Sequence, residues 1–329
     1  MNSPFPPSTS RPGDGRIVVG LLPAGGSGLE KMTYQYPLKL IAPTPTGEQP
    51  SVLVFLLSYG GGLVAGDQVN LSINVRAGSK LSIATQGHTK IFKTPSTDIM
   101  TRQNLNVHIE NDAGLCLLPD PVQPFEDSVY AQIQIFRLES QASLCLLDWV
   151  THGRSARGEN WSLIKWSGRN EVWLCDAKSQ TKERLLVRDS VILSREGSKT
   201  VGRTLQDMMH NMAVSGTLIL RGDMMKSLGE FFLAEFAALP RIGARDFRSP
   251  EARAKEDGSL SDIELWRSQR LESEKRGGIL WSAAQVRGCV IVKLGAQTVE
   301  SGREWLGSML SREGSVARQF GDQALMCVR

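Results

Sequence analysis

The glycine-rich stretch SYGGGLVAGDQ, residues 58–68, has the spacing of a phosphate-binding loop without the residues that hold phosphate. Gly61 and Gly66 stand at the spacing of the two glycines in G-x-x-x-x-G-K-S/T. The next positions, Asp67 and Gln68, lack the lysine and the hydroxyl, and an acid there repels phosphate. The glycines therefore predict a tight turn that presents Asp67. The alternative is that Asp67 only caps this turn.

Three further carboxylates stand in or beside loops marked by glycine, proline or arginine. Asp148 is predicted to end a strand in LDWVTHGRSARGE, and Glu159 follows in the same glycine-punctuated loop. Glu126 lies near the end of the proline-rich segment LPDPVQPFED. Such acids can simply pair with Arg154 or Arg157 at a surface. The pattern alone leaves open whether any of them has another role.

The histidines and cysteines form no catalytic motif. The sequence contains neither HExxH nor GxSxG, and its four histidines are scattered. His88 in TQGHTK could bind a metal, although a lone loop histidine is more often solvated. Cys116, Cys145 and Cys175 stand 29 and 30 positions apart. In a stacked fold this interval would align them as soft metal ligands, and the alternative is that they are small core residues.

Alternating apolar residues predict that strands dominate the first two-thirds of the chain. Residues 69–75 and 129–135 carry an apolar side chain at every second position. A strand–turn–strand pattern recurs, with small-residue turns at Ala77, Ala113 and Ala142. This recurrence favours a solenoid, and the alternative is a sandwich of similar hairpins. We predict a mainly β fold, a β-helix-like or solenoid sheet scaffold, with two α-helices in the C-terminal half.

The two predicted helices have capping signals and apolar faces. Asp223 can cap an apolar run that ends before Pro240. Ser301 and Glu304 form a capping box ahead of a second apolar run. These runs either form the face that meets a partner or pack in the chain's own core.

The chain is predicted to form one domain behind a short lead-in. Residues 1–15 are rich in proline and serine without an apolar leader, which predicts disorder, and residues 16–329 form the domain. Residues 241–276 are about half charged and are predicted to be a surface insertion. Within them, Ser261 and Glu264 could cap a short, solvated helix.

The overall composition argues against two kinds of partner. Lys plus Arg number 38 against 34 Asp plus Glu, which gives no case for nucleic acid. No apolar run approaches the ~20 residues of a membrane span, so we predict no membrane partner. Five cysteines, an odd number without a CxxC pair, indicate a reducing compartment. We therefore predict a cytoplasmic protein.

Several of these motifs together resemble one known family. GGGLVAGD, TQGHTK, PFE and LDW followed by GR and RGE have the order and spacing of the urease accessory protein D family, also called UreD or UreH. The resemblance covers roughly residues 20–240 and is weaker toward the C-terminal end. It implies a single UreD-like domain with a β-helical scaffold and two helices.

The resemblance also implies a function, which is not that of an enzyme. Members of the family bind accessory protein F, which recruits the GTPase accessory protein G. Together these proteins engage apo-urease and help to load nickel into it, and an internal passage is implied as the route of the metal. The chain would then hold no cofactor tightly and would carry Ni²⁺ only transiently.

The carboxylates fit a passage that must bind Ni²⁺ and then release it. Sets of Cys and His would hold the ion too tightly, whereas isolated carboxylates and water are weaker ligands. Asp67 and Asp148 are predicted to be the passage acids, and Glu126 and Glu159 are secondary candidates. For the two glutamates the alternative is contact with a partner or pairing with an arginine.

Two other functions remain open on the sequence alone. One is a β-helical carbohydrate-active enzyme that uses Asp67, Asp148 and Arg154. An aromatic content of 6% and the lack of a leader sequence argue against it. The other is an assembly module with no direct role in handling the metal.

Overall fold

The structure is a computed structural model that describes residues 11–44, 49–176, 179–239 and 261–329. Its strands are β1 (Asp14–Leu21), β2 (Ser27–Tyr34), β3 (Leu38–Ile41), β4 (Val52–Ser58), β5 (Gln68–Val75), β6 (Lys80–Ala84), β7 (Thr89–Ile91), β8 (Thr101–Ile109), β9 (Gly114–Leu117), β10 (Val122–Pro124), β11 (Val129–Leu138), β12 (Ser143–Thr151), β13 (Lys165–Asp176), β14 (Ser179–Ser194), β15 (Val214–Arg221), β16 (Leu280–Val286) and β17 (Cys289–Ala296). Its α-helices are α1 (Arg195–Thr200), α2 (Leu205–Met208), α3 (Lys226–Ala237), α4 (Asp262–Gly277), α5 (Val299–Glu313) and α6 (Ser315–Phe320).

The strands form two sheets, each with a parallel block at its centre. The first sheet runs in the order β14-β13-β11-β8-β5-β1-β2, and the five strands from β13 to β1 are parallel. The second sheet runs in the order β16-β17-β15-β12-β9-β6-β4-β3, and the four strands from β12 to β4 are parallel. Antiparallel strands flank both blocks. Strands β7 and β10 extend the second sheet beside β12.

Three consecutive units, β5–β6, β8–β9 and β11–β12, cross from the first sheet to the second through short turns. Ala77 lies in the first turn. In the other two, the N–H groups of Ala113 and Ala142 donate to the carbonyls of Glu110 and Glu139, at 3.2 and 3.1 Å. The predicted strand–turn–strand units and their turns are therefore present, and each unit contributes one strand to each sheet.

The prediction of a mainly β fold is confirmed. The described residues form two mixed sheets that do not close on themselves, so the β-helix or solenoid stays a prediction. Both predicted helices are present, as α3 and α5, and α4 is a third. Three described helices, α3, α4 and α5, have 12, 16 and 15 residues.

The additional helix, α4, begins at the predicted capping box but is not simply solvated. The N–H of Ser261 donates to the Glu264 carboxylate at 2.9 Å. Two turns further on, Arg270 and Glu274 are buried. The indole N–H of Trp305, on α5, donates to Glu274 at 2.8 Å. Some of the charged residues that suggested a solvated insertion therefore help to attach α4 to the rest of the fold.

Several predicted boundaries shift in the structure or fall outside it. β1 begins at Asp14, inside the range predicted as a disordered lead-in. Residues 1–10 and 240–260, which include most of the predicted insertion, lie outside the described residues. The first residue of α5 follows Thr298, whose hydroxyl accepts the N–H of Ser301 at 3.0 Å, so Thr298 rather than Ser301 is the cap.

Two hydrophobic layers hold these elements together. The first lies between the sheets and includes Leu71, Leu115 and Leu144. The second lies between the other face of the second sheet and the helices, and includes Trp149 and Phe232. Burying one such side chain contributes about 1.5–3 kcal/mol, so these layers dominate stability. A polar side chain between the sheets is costly there and needs a specific explanation.

Candidate functional site

Strand β11 buries the face opposite to the one that its apolar alternation suggests. Ile133 and Ile135, which belong to that alternation, are only half buried. The buried side instead carries Tyr130, Gln132 and Gln134. Burying an amide without a partner costs roughly 1–3 kcal/mol, so the two glutamines require hydrogen bonds between the sheets.

Asp148 of β12 and Asn170 of β13 complete these hydrogen bonds. Gln132 Nε2 and Asn170 Nδ2 donate to the two carboxylate oxygens of Asp148, at 2.9 and 2.6 Å. The Tyr130 hydroxyl donates to Gln132 Oε1 at 3.0 Å, and Gln134 Nε2 donates to Asn170 Oδ1 at 3.0 Å. We call these five buried residues the polar layer. Asp148 is its only acid.

The environment of Asp148 disfavours its charged form. Burial raises the pKa of the carboxyl above its ordinary value. The hydrogen bonds from Asn170 and Gln132 and the charge of Lys293 lower that pKa, and the charge of Asp189 raises it, so that the net shift is upward. Amide N–H donors offset only part of the cost of burying an ionised carboxylate. A cation that reached Asp148 would relieve this cost.

A large cavity of about 420 Å³ opens between the margins of the two sheets, at β14 and β16, and Asp148 lines it. Lys293 and Asp189 form an ion pair in its wall. Lys293 Nζ also donates to Thr217 Oγ1, at 2.7 Å. The large cavity has room for several water molecules, so a hydrated ion can approach the polar layer from this side.

A small cavity of about 30 Å³ also borders Asp148. Gln132 and Gln134 of the polar layer line it, together with Thr85 and Asp120. A volume of this size accommodates one or two water molecules. Because Asp148 lines both cavities, an ion moving from one to the other would meet its carboxylate.

Asp120, at the small cavity, was not among the predicted site residues. Glu126 was the acid predicted in LPDPVQPFED, yet the buried acid of this segment is Asp120, which lies between two prolines. Its carboxylate accepts hydrogen bonds from Thr85 Oγ1 at 3.0 Å and from the Gly87 N–H at 2.9 Å. It also forms an ion pair with Arg303, whose Nη2 lies 2.8 Å away.

Asp67 lies at the predicted tight turn, and the turn itself uses its carboxylate. Asp67 is half buried and accepts the N–H of Val64 at 2.9 Å. Gly66 has a φ of +88°, a left-handed value that favours glycine. Asp67 lines neither cavity. These contacts match the alternative of a turn cap, and a role in a metal passage stays a prediction.

Glu159 is buried in an ion pair with Arg154, which was the alternative for this residue. Arg154 donates to it from Nε at 2.8 Å and from its backbone N–H at 2.9 Å. The guanidinium lies 3.9 Å over the ring of Phe125. Burial raises the pKa of Glu159, but the bonds from Arg154 outweigh burial and the net pKa is lowered. Glu126 is exposed. Neither glutamate lines the two cavities, and their metal role stays a prediction.

The three cysteines do not form a row of soft ligands. Cys116 and Cys145 stand opposite each other in β9 and β12, whereas Cys175 lies on β13 in the first sheet. Burial raises the pKa of the Cys116 thiol well above its ordinary value, as expected of a core residue. Burial also lowers the pKa of His88. Within the described ranges, no group of three or more His, Cys, Asp or Glu side chains could hold a metal ion.

Comparison with known proteins gives consistent matches. A family model described as UreD urease accessory protein matches residues 13–327. A Schizosaccharomyces pombe protein named "Uncharacterized urease accessory protein ureD-like" is 35% identical over 281 residues, covering 85% of this chain and 87% of that protein. "Urease accessory protein 4" of Cryptococcus neoformans var. grubii is 29% identical over 314 residues, covering 87% and 86%. "Urease accessory protein D" of Arabidopsis thaliana is 34% identical over 196 residues, covering 59% and 64%.

The matched proteins are named as accessory proteins of urease, not as urease itself. The chain belongs to the UreD urease accessory protein family, which confirms the resemblance drawn from the motifs. Membership supports a role in urease maturation and is consistent with a non-catalytic protein. No helix among the described residues is both long enough and apolar enough to cross a membrane.

Proposed function

We propose that this chain is a non-enzymatic scaffold that passes Ni²⁺ toward apo-urease through the space between its two sheets. The ion moves between the large and the small cavity and meets Asp148 on the way. Accessory protein F and the GTPase accessory protein G act in complex with the chain, in the cytoplasm, and the GTP chemistry is theirs. Membership of the UreD family and the position of the polar layer support this proposal.

The observation that carries the proposal is a lone buried carboxylate that borders two cavities. Gln132 and Asn170 donate to different oxygens of Asp148, and a carboxyl group supplies both acceptors. These two bonds account for a carboxyl group at Asp148, but they do not require that it border two cavities. Burial penalises the charge of this carboxylate, and the large and the small cavity reach it from two directions, so it is suited to receiving a cation.

The ligands of the polar layer suit an ion that must move on. Asp148 supplies carboxylate oxygens, and the amides of Gln132 and Asn170 can turn an oxygen toward an ion. Nickel binds more strongly to imidazole than to isolated oxygen ligands. A conducting site must bind its ion well enough to admit it and weakly enough to release it. One carboxylate with neutral partners favours brief occupancy over storage.

An assembly module without a metal role is the second candidate function. It is favoured by the contacts of Asp67 and Glu159, since the first caps a turn and the second forms an ion pair with Arg154. The same contacts weaken the enzyme hypothesis. Asp67 and Arg154 line neither of the cavities that Asp148 borders, so the three residues do not converge on one substrate site there.

The test compares Asp148→Asn with a matched change at an exposed loop, Asp98→Asn. Each variant is expressed in source cells from which this gene has been deleted, and urease activity is measured beside the amounts of urease and of the variant. Asp148→Asn should lower urease activity roughly ten- to hundredfold while apo-urease persists, because it removes the charge and one acceptor oxygen of the polar layer. Asp98→Asn should restore full activity.

The outcomes separate the candidate functions. Full activity with Asp148→Asn, at normal protein levels, would favour the assembly module over the passage. Unchanged urease activity after deletion of the gene itself would remove the maturation role for this chain, and the isolated protein would then be screened for turnover.

A further inference from the structure

An ion pair stands at each of the two cavities, and in both pairs the acid is more deeply buried than the cation. At the large cavity, the side chains of Lys293 and Asp189 are 45% and 14% exposed. At the small cavity, those of Arg303 and Asp120 are 27% and 8% exposed. Asp148 borders both cavities. The interior therefore holds three acids in succession, and a side-chain cation neutralises each outer one.

Helix α5 brings Arg303 to Asp120. Gly302 lets the helix approach the second sheet closely, since a Cβ at this position would lie only 3.2 Å from Val214 Cγ1. The following residue, Arg303, then reaches the Asp120 carboxylate at 2.8 Å. Trp149 fixes the backbone on the other side of the pair, because its indole N–H donates to the carbonyl of the residue before Asp120, at 2.8 Å.

In this ion pair, the hydrogen-bonding groups of Asp120 are better satisfied than those of Arg303. Arg303 Nε is buried and has no hydrogen-bond partner among the described residues, so the guanidinium is incompletely satisfied where it lies. Asp120 has two donors besides Arg303, the Thr85 hydroxyl and the Gly87 N–H. If Arg303 swung outward, these donors would still orient the carboxylate toward the small cavity.

We propose that Asp120 is a second station for the divalent cation and that Arg303 is a displaceable cap on it. This inference rests on the nickel passage proposed above. It adds a control of ion movement at the end of the passage formed by the small cavity. Arg303 and the cation compete for the same carboxylate. With Arg303 in place, its charge repels a cation from this end of the small cavity. With Arg303 withdrawn, Asp120 and water in the small cavity can take the ion from Asp148.

The test measures Ni²⁺ binding to the purified full-length chain, with nickel chloride as the only added ligand. Arg303→Gln removes the competing charge, so Ni²⁺ should bind about tenfold more tightly than to the wild type. Adding Asp120→Asn to this variant should abolish the gain. The matched control is Arg312→Gln on the same helix, whose ion pair with the largely exposed Asp262 lies at the surface, and it should bind Ni²⁺ as the wild type does.

Thermal unfolding provides a second measurement on the same proteins. Arg303→Gln should unfold at a lower temperature than the wild type, and added Ni²⁺ should restore that temperature, because an ion that binds only the folded chain stabilises it. The double variant should show no such restoration. If Arg303→Gln does not yield folded protein, Arg303→Lys is measured, and its shorter, flexible cation should give a smaller gain in Ni²⁺ binding.

No gain in Ni²⁺ binding for either Arg303 variant would overturn the cap, as would a gain that survives Asp120→Asn. These measurements involve no urease. If the cap proposal fails, the Asp148→Asn result on urease activation is therefore unaffected. Conversely, full activation with Asp148→Asn would overturn the passage whatever Arg303 does.

Discussion

Asp148 is surrounded by uncharged partners, so its protonation is coupled to folding. Two amides donate to its carboxylate, and the only phenol of the polar layer, Tyr130, donates to Gln132 instead. A change of pH therefore acts on this residue through the stability of the whole fold as well as through its affinity for a cation.

Asp148→Asn should become more stable relative to the wild type as the pH rises above the ordinary carboxyl pKa of 3.8. The folded-state pKa of Asp148 is raised above its ordinary value of 3.8. The stabilising contribution of its protonated form is complete below that value and is lost as the pH rises through the folded-state pKa. Urea denaturation at several pH values measures the difference. A difference between Asp148→Asn and the wild type that does not change with pH would contradict the raised pKa.

The acidic residues also show which kinds of contact can be predicted from the sequence. The turn at Asp67 was predictable because its partner, Val64, lies three positions away. The candidacy of Asp148 followed from the family motif and from its predicted place at the end of a strand. That place is wrong, because Asp148 lies within β12. Asp120 was not predictable, because its ion pair joins it to Arg303, 183 positions further along the chain. Local hydrogen bonding can be inferred from spacing, whereas the pairing of distant charges depends on the packing of whole elements.

At the scale of the elements, alternation predicted strands correctly but not which face of each strand is buried. In β11 the isoleucines face outward and the glutamines inward, because the inward glutamines have partners on β12 and β13. Composition misled in a similar way at α4. Its charges suggested a solvated helix, and two of them, Arg270 and Glu274, are buried against distant partners.

Arg270 should be a strong determinant of the docking of α4. Its guanidinium bonds to Glu274 on α4 and to Glu235 on α3, and all three side chains are buried. Arg270→Met leaves both carboxylates without this partner and should lower the free energy of unfolding by about 3 kcal/mol, measured by urea denaturation. Lys275→Met, at an exposed position on the same helix, is the control.

The double variant Arg270→Met/Glu274→Met gives the sharper result for this cluster. The double variant also removes the Glu274 carboxylate, and Glu235 keeps its ion pair with Arg267, so the double variant should be more stable than Arg270→Met alone. If Arg270→Met is as stable as Lys275→Met, the cluster does not dock the helix.

At the scale of the whole molecule, the last described segment closes the fold on its early strands. The Ser51 hydroxyl donates to the Phe320 carbonyl at 2.6 Å, across 269 positions. Cys327 Sγ donates to the Thr85 carbonyl at 3.4 Å, across 242 positions. Nothing in the local sequence pattern indicates either contact. The C-terminal segment thereby supports the same residue, Thr85, that orients Asp120.

Leu325→Ala should show how much this closure contributes to stability. Leu325 is fully buried in the layer beneath the helices, and truncating a buried leucine costs about 2–5 kcal/mol. Met326→Ala is the neighbouring control, since Met326 is 43% exposed and should change little. Chemical denaturation compares the two. A loss of similar size in both variants would mean that the segment does not close the fold through its buried side.

The reversed face of β11 has a consequence for how this protein could fail. A shift of β11 by one residue relative to its neighbours would exchange the two faces and turn Ile133 and Ile135 inward. Hydrocarbon would then fill the space beside Asp148, and at these two positions the hydrophobic effect would not oppose the error, because the isoleucines would gain burial. The correct alignment therefore depends on Phe136 and Leu138, which are fully buried further along the strand, and on the turn that follows them. Errors of alignment in this strand would leave a folded protein whose interior route is sealed.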